Sequence, residues 1–224
     1  GSHFIGNKAV IKPGTQPPAY QGGAITNAGT IKLIKDTEFI DNETSGNGGA
    51  IANLDGASLG LDGVTVRGNK AGTVASWNGN GGGIYNAGTL TFDGTNTFRD
   101  NTAAGVANDI YNTGTITVQS GTTTLHSGLV QVDGTITING GVLDMASGSS
   151  LSFMGDSKLT INGGSFVADV DLLLTKSDEG YTANNENGIS GDSIVGTSGN
   201  LNLRLDDETY TATEYNSAKS KLLG

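Results

Sequence analysis

The chain has no cysteine, only three prolines and only two histidines. Without cysteine there is no disulfide framework, no thiolate zinc site and no thiol chemistry. The scarcity of proline excludes collagen despite 37 glycines, which follow no three-residue period. Basic residues are also few. Twelve Lys and Arg against 22 Asp and Glu leave a net charge of −10 and a pI near 4.4, so nucleic acid and anionic membrane surfaces repel the chain. The acid is scattered, with Asp206-Asp207-Glu208 its densest run, and reads as a solubilising surface rather than a polyanionic tail. No stretch approaches the ~20 apolar residues that span a bilayer, so no membrane insertion is expected. Gly1-Ser2-His3 reads as a scar left by an expression vector, and the chain as a fragment of something longer.

What is present is repetition. Gly22-Gly23-Ala24-Ile25-Thr26-Asn27 recurs as Gly48-Gly49-Ala50-Ile51-Ala52-Asn53 and as Gly81-Gly82-Gly83-Ile84-Tyr85-Asn86, then decayed as Asp109-Ile110-Tyr111-Asn112. The isoleucines lie 26, 33 and 26 residues apart, which places a seven-residue insertion within 71–80. A second motif begins 14 or 15 residues after each of the first three isoleucines: Phe39-Ile40-Asp41-Asn42, Val66-Arg67-Gly68-Asn69 and Phe98-Arg99-Asp100-Asn101. Between the two motifs runs a period-2 strand, seen in Ile31-Lys32-Leu33, Leu59-Gly60-Leu61, Leu90-Thr91-Phe92 and Ile116-Thr117-Val118. After Asn112 the glycine motif fades. Strands at Thr115-Ile116-Thr117-Val118, Thr135-Ile136-Thr137-Ile138 and Lys158-Leu159-Thr160-Ile161 then follow at 20- and 23-residue steps.

Such short units bury a face only when stacked, coil on coil, at the ~4.8 Å strand spacing. The expectation is an all-β, right-handed parallel β-helix over 22–171, with an N-terminal strand or cap over 4–21 and irregular coils or a cap over 172–224. The glycine pair serves a tight corner. The isoleucine points inward, and so does the Asn two residues later. Asn27, Asn53, Asn86 and Asn112 are therefore expected to form a ladder of side-chain amides. Phe39, Val66 and Phe98 should form an apolar stack. The segment 176–187 reads as a polar loop, and 212–223 as a short terminal helix.

The paired motifs, GGAI followed by FxxN, resemble the repeat signature of the polymorphic outer membrane proteins of Chlamydia-like autotransporters. The resemblance covers about residues 22–112. Val66 in place of Phe, and Asp109 in place of the glycine pair, depart from it. It implies a passenger fragment of a bacterial cell-surface adhesin, exported by type V secretion through a translocator barrel this chain lacks. The implied partners are a host-cell receptor or glycan, or other copies of the protein.

Catalytic chemistry is harder to find. His126 should face solvent if Leu125 is buried, and no nucleophile-elbow motif accompanies it. Polysaccharide-degrading β-helices need paired carboxylates, for which Asp36, Asp41, Asp62, Asp93 and Asp100 are candidates. Asp41 and Asp100 hold the same repeat position and read as turn residues bonding their own backbone. Arg67 and Arg99 are likewise equivalent and read as a solvated coil edge. The GGxGxDxUx calcium repeat is absent, and neither a metal nor a cofactor is expected. Repeated Thr-x-Thr strands suggest an ice-binding grid, but Lys32, Gly60 and Lys158 interrupt it, and β-propensity accounts for the threonines. The best binding candidates are aromatic. Tyr85 and Tyr111 should project outward on successive coils, and Trp77 lies in the insertion, where solenoids tend to place binding loops. The expected function is adhesion or self-association without enzymatic activity. A polysaccharide-binding or polysaccharide-degrading β-helix and a structural spacer are the alternatives.

Overall fold

Each 26-residue coil makes four short strands, and like strands of successive coils pair in parallel to build four walls. The computed structural model describes residues 1–10, 20–74, 78–177, 180–190 and 192–205, with positions 213, 216, 217 and 220. The first wall has eight strands, from His3–Ile5 through Glu38–Ile40, Thr65–Arg67 and Thr95–Arg99 to Asn200–Arg204. The second has five, among them Lys8–Ala9, Glu43–Thr44, Lys70–Ala71 and Thr102–Ala103. The third, of six, carries Ile25–Asn27, Ile51–Asn53, Ile84–Asn86 and Ile110–Asn112, and the fourth, of seven, carries the alternating strands. The fold is thus the parallel β-helix expected from the repeat.

The register is vertical. Ile25, Ile51, Ile84 and Ile110 are direct partners, and Leu129 and Leu151 continue their column. On the eight-stranded wall Phe4, Phe39, Val66, Phe98 and Leu125 form another. The Phe4 ring stacks on Phe39 at 4.9 Å between centroids. Burying one such side chain completely is worth about 1.5–3 kcal/mol, and each column adds that at every coil.

The glycine pair has a specific cause. Gly22, Gly48 and Gly81 have φ of +65°, +73° and +70°, a conformation that Cβ-bearing residues adopt at a cost. The second glycine lies against the second wall: a Cβ on Gly49 would sit 2.0 Å from the Gly82 carbonyl oxygen and 2.6 Å from the Lys70 nitrogen. The pair is therefore needed only while the second wall exists. That wall stops when Thr102–Ala103 folds back on Val106–Ala107 as an antiparallel hairpin. From there coils have three walls, which accounts for the shorter 20–23-residue steps and for the fading motif. Hydrogen bonds set Asp109 opposite Gly83, not opposite the glycine pair: Gly83 N and Ile84 N donate to the Asp109 carbonyl just as Ala50 N and Ile51 N donate to Gly83.

Other boundaries differ from the sequence reading. His3 already belongs to a wall strand, so coiling starts ahead of residue 22. A bulge between Ile31 and Ile34 makes Ile34 the partner of Leu61 and turns Leu33 outward, 47% exposed. Residues 176–187 are not a plain loop: Leu174–Ser177 pairs antiparallel with Gly180–Ala183, and a 3-10 turn follows at Asn185–Asn187. The chain then rejoins the fourth wall at Ile194–Gly196 and the first at Asn200–Arg204. There the Arg204 guanidinium bonds Asp169 (2.6 Å), Asp144 (2.8 Å) and the Met145 carbonyl, tying three coils together. The terminal helix expected over 212–223 falls largely outside the described residues.

Candidate functional site

The polar interior and the outer wall faces hold the candidate residues. On the six-stranded wall Asn27 Nδ2 donates to Asn53 Oδ1 at 2.8 Å, Asn53 to Asn86 at 2.7 Å, and Asn86 to Asn112 at 2.5 Å. All four are buried. Each of the first three also donates to a carbonyl of the next coil: Ser58, Thr89 and Thr115. Asn112 Nδ2 then donates to Gln131 Oε1 at 2.8 Å. Gln131 is opposite Phe153, and its Nε2 finds no partner among the described residues, so the ladder ends there.

A second ladder, beside the apolar stack expected of the same motif, runs through the FxxN asparagines. Asn7 Nδ2 donates to Asn42 Oδ1 (2.8 Å), Asn42 to Asn69 (2.9 Å) and Asn69 to Asn101 (2.9 Å). Asn101 Nδ2 donates to the Asp109 carboxylate at 2.7 Å. Asp109 is fully buried and also accepts from Ser127 N at 2.6 Å. Burial pushes its carboxyl above the usual range, against the opposing pull of those hydrogen bonds. The signal was present in the sequence: the Asn recurs at a fixed offset just as the Phe does. These ladders hold coils in register, and their asparagine amides are spent on one another and on backbone carbonyls.

Outside, Tyr85 and Tyr111 are direct partners on the six-stranded wall. Their half-buried rings stack 5.9 Å apart at 17°. Burial raises the Tyr111 phenol, with Tyr85 and Asp133 adding to the shift, so its hydroxyl stays a donor at neutral pH. Trp77 lies outside the described residues, as do Asp206, Asp207 and Glu208. His126 is exposed beside buried Leu125.

The carboxylate candidates are spread over the coil corners. Asp36, Asp41 and Asp100 adopt positive φ (+46°, +53° and +59°) and are turn residues. Asp100 meets Arg99 at 3.2 Å rather than its own backbone. Asp62 pairs with Lys35 at 3.0 Å, and Asp93 accepts from Ser120 at 3.0 Å. Arg67 and Arg99 are register partners. The threonines of the fourth wall also align, Thr89 with Thr115 and Thr135, and Thr91 with Thr117, Thr137 and Thr160. Among the described residues no group of three or more His, Asp or Glu is placed to hold a metal ion. No described helix is long and apolar enough to cross a membrane.

The chain is accordingly a parallel β-helix solenoid with asparagine-laddered walls. Residues 36–54, which run from one FxxN motif through the next GGAI motif, match the Chlamydia polymorphic membrane protein repeat. The repeat points to a surface or outer-membrane protein. Comparison with curated proteins and with solved structures gave no match.

Proposed function

We propose that this chain is the passenger portion of an autotransporter-like surface protein, a rigid rod that attaches its cell to host cells or to copies of itself without catalysing a reaction. The observation that carries the reading is the Tyr85–Tyr111 stack, an outward aromatic pair on a wall whose other outward positions are small or aliphatic, such as Thr26, Val130 and Ser152. Two parallel rings with polar tips suit a sugar face or a receptor hot spot. The repeat at 36–54 supports surface display. Parallel stacking fixes the pair on a stiff frame, so little ordering entropy is lost on contact.

The test is binding of the purified chain to host cells, and its self-association, for the native protein and for Tyr85→Ala/Tyr111→Ala. Loss of attachment or association with a thermal midpoint close to native supports the reading. Undiminished binding and association in the double variant overturns it. Release of reducing ends from acidic polysaccharide, with or without Ca²⁺, would instead favour an enzyme.

A further inference from the structure

We propose that the outer face of the five-stranded wall carries a binding groove for a carboxylated sugar. The groove encloses about 750 Å³, within the range of small-ligand sites. Its floor is one register column, Glu43, Lys70 and Thr102, each opposite the next, and Lys8 continues that column just outside the groove. Thr73 and Asn78, from the segment 71–80 that holds the insertion, line one side, and Ala104 and Gly105 of the antiparallel hairpin line the other. Both rims are places where the chain departs from its repeat, so the concavity is added to the rod and is not a product of coiling.

The charges select the ligand. Lys8 Nζ holds Glu43 Oε2 at 2.8 Å. That bond lowers the Glu43 carboxyl below its ordinary range against the effect of burial, with Thr73 and the charge of Lys70 helping, so it stays ionised as an acceptor. Lys70 is exposed and, among the described residues, has no ion pair. The groove thus offers a second cation beside the Lys8–Glu43 pair, one fixed carboxylate and three hydroxyl or amide groups. A sugar acid matches this set. Its carboxylate meets Lys70, while its ring hydroxyls donate to Glu43 and exchange hydrogen bonds with Thr73, Asn78 and Thr102. A neutral sugar leaves Lys70 with only the Glu43 charge it shares with Lys8, and a phosphate brings a second charge towards Glu43.

This site shares no residue with the tyrosine pair, and its test needs no cells. The purified chain would be titrated calorimetrically with glucuronic acid and N-acetylneuraminic acid, with glucose as the neutral match, and with acetate and inorganic phosphate as anions without a ring. At least one sugar acid should bind about tenfold or more tightly than glucose, acetate or phosphate, and Lys70→Gln should remove about that factor. Affinity should fall several-fold as ionic strength rises from about 0.01 M to 1 M. Tyr85→Ala should bind sugar acid as the native chain does. No binding by either acid, equal binding of glucose, equal binding of acetate or phosphate, or full affinity in Lys70→Gln each overturns the proposal. Loss of cell attachment in the tyrosine variant, with sugar-acid binding intact, separates the two readings.

Discussion

Replacing Asn69 by Leu tests the second ladder at its centre. Asn69 Oδ1 accepts from both Asn42 N and Asn42 Nδ2, at 2.9 Å each. Its Nδ2 donates to Asn101 Oδ1 at 2.9 Å and to the Phe39 carbonyl at 3.0 Å. Leucine has a similar size but can do neither. Asn42 Nδ2 retains the Phe4 carbonyl, and Asn101 Oδ1 retains the Asn69 backbone N–H. Asn42 N is left buried without a partner, at a cost of about 1–3 kcal/mol. With the weakened neighbours, the total loss should be about 2–4 kcal/mol. The comparison is Asn139→Ala, which removes two exposed bonds, one accepted from Asn162 at 3.1 Å and one donated to Gln119 at 3.5 Å, and should cost less than about 0.5 kcal/mol. Urea unfolding followed by circular dichroism measures both. Because the cost lies in the groups left behind, Asn69→Leu combined with Asn101→Leu should be less damaging than the two single losses added. An Asn69→Leu protein within about 0.5 kcal/mol of native would refute the claim that the ladder carries register energy.

Asp109 gives a pH test. Its pKa is raised in the folded state, so the folded chain binds its proton more tightly than the unfolded chain does. Ionisation at neutral pH therefore costs stability, and the cost is relieved as pH falls through the folded pKa towards the unfolded value near 3.9. The stability of native protein relative to Asp109→Asn, from unfolding curves between pH 7 and pH 4, should rise as the pH falls; a flat difference would count against it. Gly49→Ala, whose Cβ would lie 2.0 Å from the Gly82 oxygen, should cost more than about 3 kcal/mol or prevent folding. Gly29→Ala has open space and ordinary φ, and should leave the thermal midpoint unchanged or slightly higher.

The stacking was legible because the same residue types return at matching intervals. Ile25, Ile51, Ile84 and Ile110 announce a column even across the insertion, since extra residues between walls leave the strand register untouched. Spacing alone did not expose the second wall. Glu43–Thr44 and Lys70–Ala71 are two-residue strands without an alternating pattern, and only their contact with Gly23 and Gly49 shows why the glycines are paired. The bulge at Leu33 escaped notice for a related reason. Ile31, Leu33 and Ile34 fit either of two inward patterns, and pairing with Leu59 and Leu61 decides between them. The groove was not readable at all, because its floor draws on three coils and its rims on two irregular turns. The aromatic pair was readable, because Tyr85 and Tyr111 occupy one repeat position.

The hairpin at Thr102–Ala107 has a consequence for how such a rod can lengthen. By folding the chain back along the last edge of the five-stranded wall, it occupies the hydrogen-bonding positions that another four-walled coil would need there. A gene duplicating the 26-residue unit could insert copies ahead of Thr102, each adding about 4.8 Å of length. Copies placed after Ala107 would meet a closed edge and a three-sided cross-section, so growth by duplication is directional.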